Sequence, residues 1–279
     1  MRARLAIALT AAAALTLTAC SGGDTDSEGT EGSGEGESIR IGIKFDQPGL
    51  GFQDGSDYTG FDVGVATYVA EQLGYSADQI EWVESPSAQR ETMLQTGQVD
   101  MIFATYSITD ERKEVVSFAG PYFVAGQDLL VAADDDSITG PEDLEGKNLC
   151  SVTGSTSAQR IKDEYAAGTN LLEQPGYAEC VTALVAGSVD AVTTDDIILA
   201  GLAAIPANEG QVKVVGNPFS EENYGIGLPQ DNEICEDVNA AVEQMFEDGT
   251  WEQLLEDNVG ASGYVPNADL NPPAVEPCA

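Results

Sequence analysis

The sequence contains no histidine and few basic residues: 11 Lys and Arg stand against 48 Asp and Glu, for a formal net charge of −37. The absence of histidine removes the commonest general base and the commonest ligand of transition metals. So acidic a chain offers no basic surface to phosphates, which excludes a nucleic-acid partner. Neither a catalytic triad nor a phosphate-binding loop is visible, so we expect no catalytic residue, no metal and no cofactor.

The chain also lacks an apolar run long enough to cross a bilayer. Its longest apolar stretch, residues 5–19, is interrupted only by threonines and follows two arginines. This length suits the core of a signal peptide, which we predict over residues 1–19. The stretch runs into Leu17-Thr18-Ala19-Cys20, which resembles a bacterial lipobox, so that the signal would be cut before Cys20 and Cys20 would carry lipid. The alternative is a plain secretory signal followed by a chance cysteine.

Residues 21–38 have no apolar side chain at all, because they consist only of Ser, Thr, Gly, Asp and Glu. Such a segment cannot bury anything, so residues 20–38 are expected to form a lipidated cysteine and a disordered tether. The protein would then be anchored by lipid at the extracellular face of the cell membrane.

Strands and helices alternate along the rest of the chain. Ile39, Ile41 and Ile43 alternate with other residues and predict a strand that ends at Lys44. Further strands are expected near residues 99–104, 129–131, 148–152, 189–192 and 212–215, and helices near 65–73, 87–96, 158–166 and 236–258. This alternation predicts an α/β fold with largely parallel sheets, in which ligands bind beyond the carboxyl ends of the strands.

Several separated motifs resemble one family. They are Ala-Thr-Tyr-Ser-Ile-Thr-Asp-Glu-Arg-Lys at 104–113, Phe-Ala-Gly-Pro-Tyr at 118–122, Gly-Ser-Thr-Ser at 154–157, Val-Asp-Ala-Val-Thr-Thr-Asp at 189–195, and the segment 243–255. Over residues 39–260 the chain is similar to the polar amino-acid-binding proteins of ABC importers, solute-binding protein family 3. Residues 44–49, 84–91, 149–152 and 177–181 further resemble the glutamate-binding lipoproteins of actinobacterial type.

The resemblance implies a two-lobed fold like that of type II periplasmic binding proteins. Two hinge strands would join the lobes, and the ligand would lie in the cleft between them. Lobe 1 would hold residues 39–124 and 224–260, and lobe 2 residues 125–223. Residues 261–279 would form a proline-rich C-terminal tail.

The resemblance also implies which residues hold the head group of an amino acid. The matching residues are Arg112, Asp195, Thr105, Ser107, Ser155 and Thr156. Arg112 would grip the α-carboxylate with two parallel hydrogen bonds, and Asp195 would receive the α-ammonium. Read without the resemblance, Arg112 could be a solvated helix residue, and the serine, threonine and aspartate positions could be ordinary helix caps.

Ser87, Arg90 and Lys44 match positions that hold the side-chain carboxylate in relatives that bind acidic amino acids. Lys44 departs from an arginine found in some of those relatives. A dicarboxylic amino acid entering so acidic a protein needs local positive charge to offset desolvation and repulsion. We therefore expect L-glutamate as the ligand, with aspartate or glutamine as alternatives.

Five cysteines are present, and lipidation of Cys20 would leave an even number in an exported protein, which suggests two disulfides. The resemblance implies that Cys150 pairs with Cys180. A bond between Cys235 and Cys278 rests only on these two being the remainder.

The sequence thus predicts a monomeric binding protein, not an enzyme, that passes its amino acid to the permease subunits of an ABC transporter. Two other classes stay open. A dehydratase-like enzyme of the same fold would need an acid or base beside the reacting carbon, and no such group is visible. A surface sensor domain would need a transmembrane link, and only a lipid anchor is visible.

Replacing Cys20 by alanine should release the mature protein from the membrane, because two acyl chains give durable anchoring that the tether alone cannot supply. Fractionation of cells followed by detection of the protein checks this. A Cys20→Ala protein that stays in the membrane fraction as fully as wild type would contradict the lipobox interpretation.

Overall fold

The computed structural model describes residues 38–165, 168–230 and 232–278. The predicted signal peptide, Cys20 and all of the tether except Ser38 lie outside these residues. Within them, no helix is both long and apolar enough to cross a membrane.

The described residues form thirteen strands and eight α-helices. The strands are β1 Ile39–Ile43, β2 Asp46–Gln47, β3 Gly51–Asp54, β4 Asp57–Thr59, β5 Ile80–Glu84, β6 Met101–Phe103, β7 Ser117–Ala125, β8 Gln127–Ala132, β9 Asn148–Val152, β10 Asn170–Gln174, β11 Ala191–Asp195, β12 Val212–Val214 and β13 Glu222–Leu228. The helices are α1 Phe61–Gln72, α2 Arg90–Gln95, α3 Asp110–Lys113, α4 Thr156–Arg160, α5 Tyr177–Val185, α6 Asp196–Ala204, α7 Cys235–Glu247 and α8 Thr250–Val259.

Two five-stranded sheets organise these elements and confirm the predicted α/β class. The first has the order β5-β1-β6-β13-β7 and the second the order β10-β9-β11-β8-β12. A small antiparallel sheet, β2-β3-β4, packs on α1 beside the first. The chain passes from the first large sheet to the second at Gly126, between β7 and β8, and returns through residues 215–221. The exact lobe limits expected from the sequence stay a prediction.

The large sheets are less parallel than predicted. In the first, β1 is parallel to β5 and β6, but β13 is antiparallel to β6 and β7. In the second, β9 is parallel to β10 and β11, but β8 is antiparallel to β11 and β12. The antiparallel neighbours are the strands on either side of the two crossings, which enter their sheets without the crossover helix that a parallel strand requires.

Two element boundaries differ from prediction near the cleft. The helix expected from Ser87 begins at Arg90, because Gln89 donates its N–H to the carbonyl of Pro86 at 2.9 Å and closes a turn first. The strand expected over residues 189–192 begins at Ala191 and continues to Asp195, where it pairs with Gln127 of β8. Asp195 therefore ends a strand, and the helix starts with the next residue.

Both cysteine pairs are disulfides in the structure. Cys150–Cys180 joins β9 to α5, with 5.5 Å between the Cα atoms. Cys235–Cys278 joins α7 to the C-terminal tail, with 6.1 Å between the Cα atoms. The tail is held at a second point, because the amide of Asn271 donates to the carbonyl of Val124 at 2.8 Å and accepts from its N–H at 2.9 Å. The proline-rich tail thus lies along β7.

Replacing Cys235 and Cys278 together by serine should lower the free energy of unfolding by about 4 kcal/mol, because a loop of 43 residues no longer constrains the unfolded chain. Guanidinium unfolding of the variant and of wild type, both without reductant, measures the difference. A change below about 1 kcal/mol would show that this bond does not carry the stability that chain entropy assigns to it.

Candidate functional site

The carboxyl ends of strands from both large sheets face one cleft. A small cavity of about 10 Å³ lies inside it. Its lining residues are Ser87, Arg90, Thr105, Ser155, Thr156, Ser157, Tyr177, Asp195 and Ile198. Six of the predicted site residues are among them, and they come from both sides of the cleft. Arg112 lines the wider groove that adjoins this cavity together with Ser87, Ser155 and Thr156.

Arg112 is held by groups from both sides of the cleft. Thr109 caps α3 and accepts the N–H of Arg112 at 3.2 Å. The guanidinium donates to the carbonyl of Ser107 at 2.6 Å and, across the cleft, to the carbonyl of Gly154 at 3.1 Å. Its Nε lies 3.3 Å from a carboxylate oxygen of Glu91. These contacts fix the plane of the guanidinium, as recognition of a carboxylate by two hydrogen bonds requires.

The opposite wall is the first turn of α4. The hydroxyl of Ser155 accepts the N–H of Ala158 at 2.9 Å and donates to the carbonyl of Val152 at 2.7 Å, so it caps the helix. The hydroxyl of Thr156 lies 3.3 Å from that of Ser107 on the other side of the cleft. The hydroxyl of Ser155 is therefore a helix cap, as the alternative interpretation predicted. The N-terminus of α4 that it caps favours an anion.

Asp195 has one oxygen committed and one free to bind. Its Oδ2 accepts the hydroxyl hydrogen of Tyr224, on β13, at 2.6 Å. Its Oδ1 is buried and has no hydrogen-bond partner among the residues that the structure describes. The start of α6 is served by Asp196, whose Oδ1 accepts the N–H groups of Ile197 at 2.8 Å and Gly126 at 3.2 Å. Asp195 is thus left to face the cavity.

Burial sets the charge state of Asp195. Loss of water raises the pKa of its carboxyl, and the nearby Glu222 raises it further. The hydrogen bond from Tyr224 and the charge of Arg112 lower the pKa in turn. A buried acid with an unpaired oxygen is a suitable acceptor for an ammonium group, whose charge would favour the ionised form.

Lys44 and Arg90 are both buried, with side chains 3% and 2% exposed. Burial lowers the pKa of Lys44 to about 8, an effect that Arg90 strengthens and Asp46 opposes. Burial and the charge of Arg112 lower the pKa of Arg90 to about 10. The Nε of Arg90 has no hydrogen-bond partner within the described part of the chain. A carboxylate bound beside these two cations would stabilise their charged forms, which burial destabilises.

Besides Tyr224, two residues that the sequence did not single out shape this site. Tyr106 packs against both guanidinium groups. The centre of its ring lies 4.1 Å from the guanidinium carbon of Arg90 and 4.9 Å from that of Arg112. Its hydroxyl donates to Glu91 at 2.7 Å. Stacking on an aromatic face stabilises a partly desolvated guanidinium. No local pattern marks Tyr106 as anything but a core aromatic residue.

Asp62 is the other residue that the sequence did not reveal. It is fully buried in α1, and its carboxylate accepts the N–H of Thr105 at 2.9 Å and the hydroxyl hydrogen of Tyr122 at 2.7 Å. Burial raises the pKa of Asp62 to about 6, against the opposing charges of Arg90 and Lys44. Thr105 has φ +45°, a left-handed conformation uncommon outside glycine, and the bond to Asp62 helps to hold it. In sequence, Asp62 looks like an acid in a helix's first turn.

A cleft between two α/β lobes, with a fixed arginine on one wall and a buried carboxylate on the other, defines the class of two-lobed, type II solute-binding proteins. The sequence matches the model of the family described as bacterial extracellular solute-binding proteins, family 3, over residues 39–261. The chain belongs to this family.

Several relatives are named as amino-acid-binding proteins. The glutamate-binding protein GluB of Corynebacterium glutamicum is 49% identical over 82% of this chain and 80% of its own length. The ABC transporter glutamine-binding protein GlnH of Bacillus subtilis is 36% identical over 77% of this chain and 79% of its own. Among solved structures, an ancestral arginine-binding protein bound to glutamine is similar with a TM-score of 0.74 and 36% identity, covering 81% of this chain and all (100%) of the other.

Replacing Tyr224 by phenylalanine should weaken amino-acid binding roughly 10- to 100-fold, since a hydrogen bond to a charged group contributes about 1.5–3 kcal/mol. Without this donor the pKa of Asp195 rises further, so fewer molecules present the ionised carboxylate that an ammonium needs. The loss should therefore be larger in mildly acidic than in mildly alkaline solution. Calorimetric titration at several pH values measures it.

The matched control is Tyr68→Phe, which removes a 2.6 Å hydrogen bond to the exposed Asp248. This variant should bind as wild type does. Equal affinities of the Tyr224→Phe and wild-type proteins at every pH would remove Tyr224 from any role in orienting Asp195.

Proposed function

We propose that the protein captures an amino acid, most favourably L-glutamate, in its cleft outside the cell and delivers it to the permease of an ABC transporter. The observation that carries the proposal is the charge arrangement in the cleft. Arg112 is held in the orientation that a carboxylate needs, Oδ1 of Asp195 is unpaired and can accept from an ammonium, and the buried Arg90 lines the cavity with Lys44 close enough for the two charges to interact. The 49% identity with a protein named for glutamate binding supports the same ligand.

The head group would be bound from both sides of the cleft at once. Arg112 would take the α-carboxylate, aided by Thr105 and Ser107 on its own side and by the first turn of α4 opposite. Asp195 would take the α-ammonium. Because these groups lie on opposite sides of the cleft, a bound amino acid would bridge the cleft and favour its closure.

The far end of the ligand would decide selectivity. Every α-amino acid offers the same head group, so Arg112 and Asp195 cannot separate glutamate from glutamine. Lys44 and the Nε of Arg90 are donors only, and a carboxylate is an acceptor only. A carboxamide would turn its own N–H groups toward donors in a buried site, which leaves them unpaired. Ser87 would add a hydroxyl beside the side-chain carboxylate of the ligand. The side chain of aspartate is one methylene shorter, so its carboxylate would reach these groups less well.

We propose further that the protein binds its ligand without changing it. The family and the relatives named above are binding proteins. In the proposed binding mode, the charged binding residues of the cleft are all paired with the charged groups of the amino acid. Incubation with excess glutamate, followed by proton NMR for several hours, tests this. A new product whose amount scales with protein concentration would contradict it.

Wild type should prefer glutamate to glutamine by at least about tenfold, which is about 1.4 kcal/mol. Lys44→Ala and Arg90→Ala should each weaken glutamate more than glutamine, because charge-assisted hydrogen bonds are about twice as strong as neutral ones. Calorimetry with both ligands measures the ratio. Lys147→Ala is the control, since it removes a charge at the amino end of β9, the end of the strand away from the cleft.

The preference for glutamate should also fall as the pH rises above about 8, the pKa of buried Lys44. Below that value Lys44 is already charged, whereas above it glutamate can pair with Lys44 only if the lysine first takes up a proton. The α-ammonium is present in both ligands and stays mostly protonated just above this pH, so its titration contributes little to the ratio there. Preference that stays constant across this range, or a wild type that favours glutamine, would rule out the assigned role of Lys44.

A further inference from the structure

The segment that follows Lys44 contacts the opposite side of the cleft. Strand β2, residues Asp46–Gln47, belongs to the small sheet that packs on α1, yet it also contacts α5 and α6 of the other lobe. Neither contact involves the predicted head-group residues. Two specific approaches, one to each helix, come from this strand and the residue that follows it.

The first approach is at the N-terminus of α5. Gly176 precedes this nine-residue helix and provides no side-chain cap. Asp46 supplies the missing acceptor from across the cleft, because its Oδ2 accepts the N–H of Tyr177 at 3.0 Å. A side chain on Gly176 would stand in the way, since a Cβ there would lie 2.6 Å from the same oxygen. The helix therefore receives its N-cap from the opposite lobe.

The second approach is at the middle of α6. The carbonyl oxygen of Pro48 would lie 2.1 Å from a Cβ placed on Gly201, which is far inside van der Waals contact. Gly201 follows Ile198 by three residues, so both lie on one face of α6, and Ile198 lines the ligand cavity. Glycine in the interior of a helix is unfavourable for the helix itself. Here it lets a backbone carbonyl of the other lobe reach the helix.

We propose that Asp46 and Pro48 form a closure latch on α5 and α6, in which Asp46 is a positioning residue for Tyr177. Tyr177 lines the cavity, and the bond from its N–H to Asp46 exists only when the two sides of the cleft are together. The latch contributes to closure whatever the ligand's side chain. This inference rests on the proposed binding of an amino acid in the cleft and adds a determinant of affinity that does not select among amino acids.

Three variants around the N-terminus of α5 test the first half of the latch. Relative to Asp46→Asn, Asp46→Ala should weaken glutamate and glutamine by the same factor, about fivefold, which corresponds to the loss of a helix N-cap of about 1 kcal/mol. Asp46→Asn should restore most of the affinity, since Asn caps as well as Asp. Both variants lose the charge that Asp46 places near Lys44, so comparing them with each other isolates the cap. Glu179→Ala removes an exposed acid from the same helix end within its own lobe and should bind as wild type does.

Gly201→Ala tests the second half. Alanine favours a helix, so the melting temperature of the ligand-free variant should equal or exceed that of wild type. The added methyl meets a backbone oxygen only in the closed form, so affinity for both ligands should fall at least tenfold, in proportion to the lost closed fraction. Small-angle X-ray scattering should show that saturating glutamate compacts wild type and compacts Gly201→Ala less.

The outcomes separate the two proposals. If wild type binds no amino acid, the proposed function fails. If wild type binds glutamate but Asp46→Ala matches Asp46→Asn and Gly201→Ala closes and binds normally, the latch is wrong while the function stands. A change in the glutamate-to-glutamine ratio between Asp46→Ala and Asp46→Asn would also overturn the latch, because it would make Asp46 a selectivity residue.

Discussion

Removal of charge from water is the constraint on which the rest of this structure depends. Around the cleft, cations and carboxylates are buried close enough to shift one another's pKa, and burial acts against the charged form of each. It lowers the pKa of Lys44 and Arg90 and raises that of Asp62 and Asp195. Isolated charges of this kind would be too costly to keep, and neighbouring groups of opposite charge or hydrogen-bonding capacity offset part of that cost. A dicarboxylic amino acid, with two negative groups and one positive, fits the donors and the acceptor that these neighbours leave free.

Two tyrosines that hydrogen-bond the buried acids lie on strands next to the places where the chain crosses between the two large sheets. Tyr224 lies on β13 of the first sheet and bonds Asp195 at the end of β11 in the second. Tyr122, on the neighbouring strand β7, bonds Asp62, and the two tyrosine rings lie 6.2 Å apart. The acids of the two lobes are therefore tied to adjacent strands at the place where the chain crosses between sheets. A change of charge in the cleft and a change of hinge geometry would affect the same groups.

Much of the fold and many of the site residues could be predicted from the sequence. The features that could not be predicted were missed for physical reasons. Strand β9 has the predicted bounds, because its apolar run is clear, and both cysteine pairings occur in the structure. The small β2–β4 sheet was not predicted, since strands of two to four residues carry too little pattern. Asp62 and Tyr224 were not predicted as site residues for another reason. Each acts on a residue more than 25 positions away (Thr105 and Asp195), and no local signal encodes a contact of that range.

The proposed binding mode depends on the orientation of the ligand across the cleft. The most direct measurement is a crystal structure of the protein with L-glutamate. We expect the α-carboxylate on the guanidinium of Arg112, the α-ammonium within hydrogen-bond distance of Oδ1 of Asp195, and the side-chain carboxylate against Lys44 and Arg90. A glutamate bound in the reverse direction, with its side-chain carboxylate on Arg112, or bound outside the cavity, would contradict the account.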